Sequence, residues 1–327
     1  MNFTAGAITI GLVGLGGLVF GRKYLAGGVC NIVKDLTDQV AIVTGSNTGI
    51  GKETARVLAK MGATVVLACR DEAKTLVAVE ELRKDTGNER IEFIRLDLSD
   101  LKSVKEFAKE FQERHNKLNI LVNNAGIMAI PERRLTKDGY EMQFGTNHLG
   151  HFYLTTLLID LMKRSAPCRI VNLSSVASSV GKMNWEDLNY EKGGYNMSTA
   201  YAQSKLANIL FTKELQRRYG DAGIRAYAVH PGVVTTDLTR YMNEKWYINA
   251  VMTVIGNPFM KLFGKNPLQG AQTSLYCALE DFDKIEGGLY YADCKPIREN
   301  SLCKKEENWR KLWEISEKLV ADKMSGN

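Results

Sequence analysis

Gln39-Val-Ala-Ile-Val-Thr-Gly-Ser-Asn-Thr-Gly-Ile-Gly-Lys52 changes character at Gly45. A short aliphatic, β-branched run leads into glycines spaced G-x-x-x-G-x-G, and helix-like sequence from Thr48 to Met61 follows without a gap. Glycine lets the chain turn tightly and lets backbone N–H groups approach a ligand with no Cβ in the way. Between a first strand and a first helix, Gly45, Ser46, Asn47, Thr48, Gly49, Ile50 and Gly51 form the kind of turn whose N–H groups and helix N-terminus hold a pyrophosphate.

Outward from this stretch the same alternation repeats. TVVLAC precedes Glu72 to Thr86, and IEFIRL precedes Asp100 to His115. NILVNN precedes a loop and then Asn147 to Lys163, CRIVNLSS precedes Thr199 to Tyr219, and IRAYAVHPG closes the series. Apolar runs about 30 residues apart with amphipathic stretches between them are the sequence form of βαβ units. They imply an α/β fold, a Rossmann-type doubly wound parallel sheet of about seven strands with helices on both faces. Residues 38–327 are read as one such domain and 22–37 as a connecting segment, because doubly wound folds commonly reach about 250 residues around a single core.

Of the 327 residues 45% are hydrophobic and 24% charged, with six prolines and no repeat, which describes a globular chain. The formal charge of +6 is spread along the sequence, with no long basic run, so no nucleic-acid partner is expected. Cys30, Cys69, Cys168, Cys277, Cys294 and Cys303 form no C-x-x-C pair and have no histidine at zinc-ligand spacing, so reduced structural thiols and no metal are expected. His148 and His151 lack a third ligand nearby and read as core or helix-face residues.

Met1 to Gly21 carries no charge and is followed at once by Arg22 and Lys23. That is the length of a membrane span, and Gly17 and Gly21, four apart, suit close helix approach. A single N-terminal membrane anchor is the reading, with an uncleaved leader or a weakly bound interfacial helix as the alternative. Charges follow the apolar run and none precedes it, so a cleaved secretory signal fits poorly. The positive-inside rule then leaves the domain facing the cytosol, on the endoplasmic reticulum or a mitochondrial membrane.

At the end of the second strand, Ala68-Cys69-Arg70 sets a cation where an NAD-specific protein carries an acid against the ribose hydroxyls. A guanidinium there pairs with a 2′-phosphate, which favours NADP(H), with Lys52 as a second cation. Asp97 and Leu98 follow the third strand where an adenine ring would lie, although a helix-capping role accounts for Asp97 as well. Asn123-Asn-Ala-Gly126 follows the fourth strand, Ser174-Ser175 the fifth, and Tyr201-Ala-Gln-Ser-Lys205 lies in the next helix.

With Asn147, these residues make the chain resemble the short-chain dehydrogenases/reductases from about Val40 to Gly232. GSNTGIGK, LACRD, MQFGTNHLGHF, RIVNLSS, AYAQSKLANILFTKEL and HPGVVTT look most like the retinol dehydrogenase branch. The resemblance implies an oxidoreductase that passes hydride between a nicotinamide cofactor and a carbonyl or alcohol. It places Asn124, Ala125, Gly126, Pro231, Gly232, Val234 and Thr236 beside the cofactor, and gives Lys205 a second duty at the nicotinamide ribose. It gives Asn147 the task of holding a water that relays protons to Lys205, and implies a homodimer joined through the helices beside Asn147 and Tyr201.

The chemistry also follows from the residue types. Carbonyl reduction needs an acid to protonate oxygen as hydride reaches carbon, and Tyr201 is the candidate. Lys205, four residues on and so on the same helix face, is expected to lower the phenol's pKa. Ser175 can donate to the substrate oxygen; adjacent Ser174 leaves a one-residue ambiguity, decided for Ser175 by alignment with the family pattern. Asn172 and Asn196 begin N-x-S sequences, read as chance because a glycan there would obstruct the site.

Tyr241 to Phe263 is unusually apolar, and residues 240–264 are read as a lid for a lipophilic substrate such as retinal; a helix buried against the sheet reads the same way. Glu306 to Lys323 reads as an amphipathic helix lying on the domain or on a partner. Two other functions fit the same motifs: a C=C reductase of this fold, and a non-enzymatic NADP(H)-binding membrane scaffold.

Overall fold

The computed structural model describes residues 26–234 and 264–325. The expected anchor Met1–Gly21, Thr236 and nearly all of the apolar stretch at 240–264 lie outside them. Among the described residues no helix is long and apolar enough to cross a membrane.

Eight strands form one sheet in the order β3-β2-β1-β4-β5-β6-β7-β8. They are β1 Val40–Thr44, β2 Thr64–Cys69, β3 Ile91–Arg95, β4 Ile120–Asn123, β5 Cys168–Leu173, β6 Ile224–His230, β7 Tyr290–Ala292 and β8 Lys295–Pro296. All neighbours pair in parallel except β7 with β8. Every residue of β1, β4 and β5 is buried, as expected of strands covered on both faces. The eighth strand exceeds the expected seven: it is a two-residue return after the turn at Asp293 and Cys294, both at positive φ.

Helices cover both faces. On one side lie α1 Gly49–Lys60, α2 Glu72–Thr86 and α6 Pro267–Leu279; on the other lie α3 Leu101–Arg114, α4 Gly150–Arg164, α5 Met197–Tyr219 and α7 Glu306–Met324. Polar caps fix their starts. Asp71 accepts from Lys74 N, Asp100 from Lys102 N and Ser103 N, and Asn196 from Ser198 N and Thr199 N. The cap of α3 is therefore Asp100, and Asp97 instead accepts from the backbone N and hydroxyl of Ser99. Asn196 is the α5 cap, and buried Asn172 bonds Asn123 and Thr212 inside β5, so the folded protein has no room for a glycan on Asn172.

The helix expected from Asn147 begins differently. A single α-turn, Met142–Phe144, runs into a π-helical stretch, Gly145–Leu149, before α4. Both edges of this wide turn are glycines under close contact: a Cβ on Gly145 would lie 2.5 Å from Thr136 Cγ2, and one on Gly150 2.5 Å from Leu98 O. The amphipathic C-terminal segment packs on its own domain, with Leu312 and Trp313 buried and Trp313 edge-on to Phe152 at 5.0 Å.

Candidate active site

The β1–α1 turn is shaped for an anion. Gly45 has φ +62°, and a Cβ there would lie 2.9 Å from Ala125 Cβ. One on Gly51 would lie 2.5 Å from Asn124 Nδ2 and 2.6 Å from Gly45 O, so only glycine lets the turn sit against Asn124 and Ala125. Unlike α2 and α3, α1 has no side-chain cap hydrogen bond, and its first turn holds no acid to oppose phosphate oxygens at the helix N-terminus. These features fit a dinucleotide pyrophosphate. Ser46 is turned inward: its hydroxyl donates to Val43 O at 2.7 Å and its N–H to Cys69 Sγ at 3.1 Å.

Arg70 follows β2, exposed and without a hydrogen bond or ion pair among the described residues. Lys52 differs, being ion-paired to Glu81. Asp97 and Leu98 follow β3 and are buried. Asn124 anchors the β4 end to β1 through Nδ2 donating to Thr44 O at 2.7 Å, and Gly126 continues that turn. Pro231, Gly232 and Val234 follow β6. Gly232 has φ +88°, and Val234 bridges to Lys265.

Tyr201, Lys205, Ser175 and Asn147 come together where β5, α5 and the π-turn meet. Ser175 stands near enough to the Tyr201 phenol to favour its ionised form. Lys205 Nζ lies 5.7 Å from the centre of the Tyr201 ring and donates to Leu173 O at 3.2 Å. Asn147 Nδ2 donates to Ile127 O and to Ser204 Oγ, both at 2.9 Å, while its Oδ1 accepts Ile127 N–H. The serine ambiguity resolves geometrically: the Ser174 hydroxyl donates to Lys205 O at 2.7 Å and is buried.

One expectation is corrected. The Tyr201 phenol is not lowered; burial pushes it up to about 12 against the opposing effect of Ser175. The same burial lowers Lys205 to about 8. In so dry a pocket the cost of charging dominates the shift of each group. Tyr201 is therefore held as a neutral acid.

Several residues in the site carried no signal in the sequence. Asn300 Nδ2 faces the carbonyls of Ser178, Ser179 and Gly181 at 2.9, 3.2 and 3.0 Å, fixing the turn that begins at Ser175. Asn208 donates to the same Leu173 carbonyl as Lys205, at 2.9 Å. His148 and His151 are buried, held by Ser316 and by Asn147 and Thr44, and no metal-binding cluster occurs among the described residues.

A glycine turn under the first helix, a Tyr–Lys pair beside a serine and a parallel sheet in this strand order agree with the comparison of the whole sequence. The chain belongs to the short chain dehydrogenase family, which matches residues 39–246. It is an oxidoreductase of that family, using a nicotinamide cofactor for hydride transfer between alcohol and carbonyl. Within the family it falls in the retinol dehydrogenase branch. Retinol dehydrogenase 12 of Mus musculus is 47% identical over 91% of this chain and 92% of its own length. Retinol dehydrogenase 13 of the same species is 44% identical over 94% and 91%. The crystal structure of an uncharacterised protein from Mycobacterium paratuberculosis superposes with a TM-score of 0.71 at 36% identity, covering 90% of this chain and 97% of that one.

Proposed function

We propose that this protein is an NADP(H)-dependent dehydrogenase that reduces a lipophilic aldehyde or ketone, such as retinal, with Tyr201 as proton donor. The observation that carries the reading is the buried Tyr201 with Lys205 Nζ 5.7 Å from its ring and Ser175 beside its phenol. Bound nicotinamide would supply or accept the hydride. As charge develops on the carbonyl oxygen, Ser175 donates a hydrogen bond to it and Tyr201 gives up its proton. A phenol raised to about 12 is protonated at neutral pH, the state that reduction requires. Lys205 steadies the phenolate left behind, and Asn147 lines the route by which that proton is replaced. In the oxidising direction the phenolate is the base.

Arg70 supports the phosphorylated cofactor, since an exposed guanidinium with no ion pair among the described residues suits bidentate pairing with a 2′-phosphate. Exposed apolar side chains stand near site residues in the chain: Val176 and Val180 follow Ser175, and Val233 follows Gly232, each more than half exposed. Those side chains and the activity named in the relatives favour a lipophilic substrate. Attachment to a membrane through Met1–Gly21 belongs to the same reading. The test is steady-state oxidation of NADPH and of NADH by the purified protein against all-trans-retinal and a medium-chain aldehyde. Preference for NADPH and for retinal is expected; turnover with NADH alone would reject the cofactor assignment.

A further inference from the structure

Below the site, one buried histidine joins its two halves. His151, 1% exposed, sits in the first turn of α4 with Nδ1 3.0 Å from the backbone oxygen of Asn147 and Nε2 2.9 Å from Thr44 Oγ1. A carbonyl oxygen only accepts, so Nδ1 carries a proton. Burial, with the nearby charge of Lys205 acting in the same direction, lowers this imidazole to about 4, so that is its only ring proton at neutral pH. Nε2 must then accept, and the Thr44 hydroxyl donates to it at 2.9 Å in preference to the Val122 carbonyl, its other acceptor, at 3.4 Å. With that proton committed, Thr44 Oγ1 is left to accept, and the backbone N–H groups of Asn124 and Ala125 each reach it at 2.9 Å. Every hydrogen in the chain points one way: from Asn124 and Ala125 to Thr44, from Thr44 to His151, and from His151 to Asn147. Such aligned chains in a low-dielectric interior reinforce one another.

We propose that His151 is a positioning residue: as its Nδ1–H tautomer it ties the Asn124–Ala125 turn, on the cofactor side, to the Asn147 carbonyl, on the proton-relay side. The inference rests on the functional reading above, which gives those two sides their roles. A histidine that only filled core volume would not need Nδ1 on a carbonyl and Nε2 on a hydroxyl that is saturated by two further donors.

The test uses the full chain and four proteins: wild type, Thr44→Val, His151→Phe and the double variant. Thr44→Val keeps the side-chain shape and removes the hydroxyl; His151→Phe keeps the ring and removes both bonds. Each single change is expected to lower kcat about tenfold, the scale of one buried hydrogen bond, with KM for the carbonyl substrate within about twofold. The solvent deuterium isotope effect on kcat should rise, because Asn147 no longer holds its place in proton delivery. The double variant should be no worse than the poorer single one, as expected for two breaks in one chain. Losses that multiply, or a lowered melting temperature with kcat and isotope effect as in wild type, overturn the proposal. Should His151→Phe not fold, Thr44→Val decides by the same readouts. Turnover kept by Tyr201→Phe would reject the functional reading and this inference with it; loss in Tyr201→Phe beside wild-type behaviour in Thr44→Val rejects this inference alone.

Discussion

The Ser174 hydroxyl donates to the backbone carbonyl of Lys205 at 2.7 Å, and so two adjacent serines divide their work. Ser174 ties β5 to the catalytic helix, while Ser175 faces Tyr201. Ser175→Ala is expected to lower kcat by roughly 100-fold or more, the scale of losing one donor to a developing oxyanion, with at most about 1 kcal/mol of stability lost from its long cap on Ala177 N–H. Ser174→Ala should do the reverse, losing about 1–2 kcal/mol of stability while kcat stays within a few-fold. Kinetics and thermal melts of the two variants, side by side, check the division.

Lys205 binds its proton less tightly in the folded protein, where its pKa is about 8, than in the unfolded chain, where it has the usual 10.5. Below pH 8 both states are charged and the full cost of burying the ammonium falls on the native state. Between pH 8 and about 10 the unfolded chain holds more protons, so this group makes stability rise with pH across that window. Lys205→Met should remove the rise in denaturation midpoint over that range. If the charged lysine is needed for turnover, kcat/KM should fall as pH climbs through about 8, well below the value to which burial raises Tyr201. A profile flat to pH 10 would argue that the lysine charge is dispensable.

Gly45 sits at φ +62° with Ala125 in the space a side chain would take. Gly45→Ala is expected to cost about 1–3 kcal/mol, from backbone strain together with the contact, and to weaken dinucleotide binding because the turn must move. Chemical denaturation and a cofactor fluorescence titration read the two effects separately.

Arg70 is exposed and has no ion pair among the described residues, whereas Lys52 is held by Glu81. Arg70→Glu should therefore lower kcat/KM for NADPH by roughly 100-fold and leave that for NADH within a few-fold, since only the former carries the 2′-phosphate. Equal losses with both cofactors would assign Arg70 to general folding or charge effects.

The sheet and its helices were legible in the sequence for a physical reason. Strands buried on both faces read as unbroken apolar runs, and β1, β4 and β5 are buried throughout. The helix from Glu72 to Thr86 was legible to the residue because Asp71 and Gly87 punctuate it. The three-residue β7 and two-residue β8 are too short to carry a period. The π-turn at Gly145–Leu149 was hidden because its residues keep helical character and only the hydrogen-bond register widens. Of the site, Tyr201, Lys205, Ser175 and Asn147 stand in a recognisable order and meet in space. What could not be read was the balance of burial against charge that raises Tyr201 and lowers Lys205, because it depends on how completely α5 is covered. His151 was read as a core residue, and only its two ring contacts distinguish it from one.

The most direct test of the central claim is NADPH oxidation with all-trans-retinal by wild type and by Tyr201→Phe under identical conditions. Turnover by wild type that falls by at least about 1,000-fold in Tyr201→Phe, with NADPH affinity unchanged, is the predicted result for loss of the proton donor. Comparable turnover by both proteins would contradict the account.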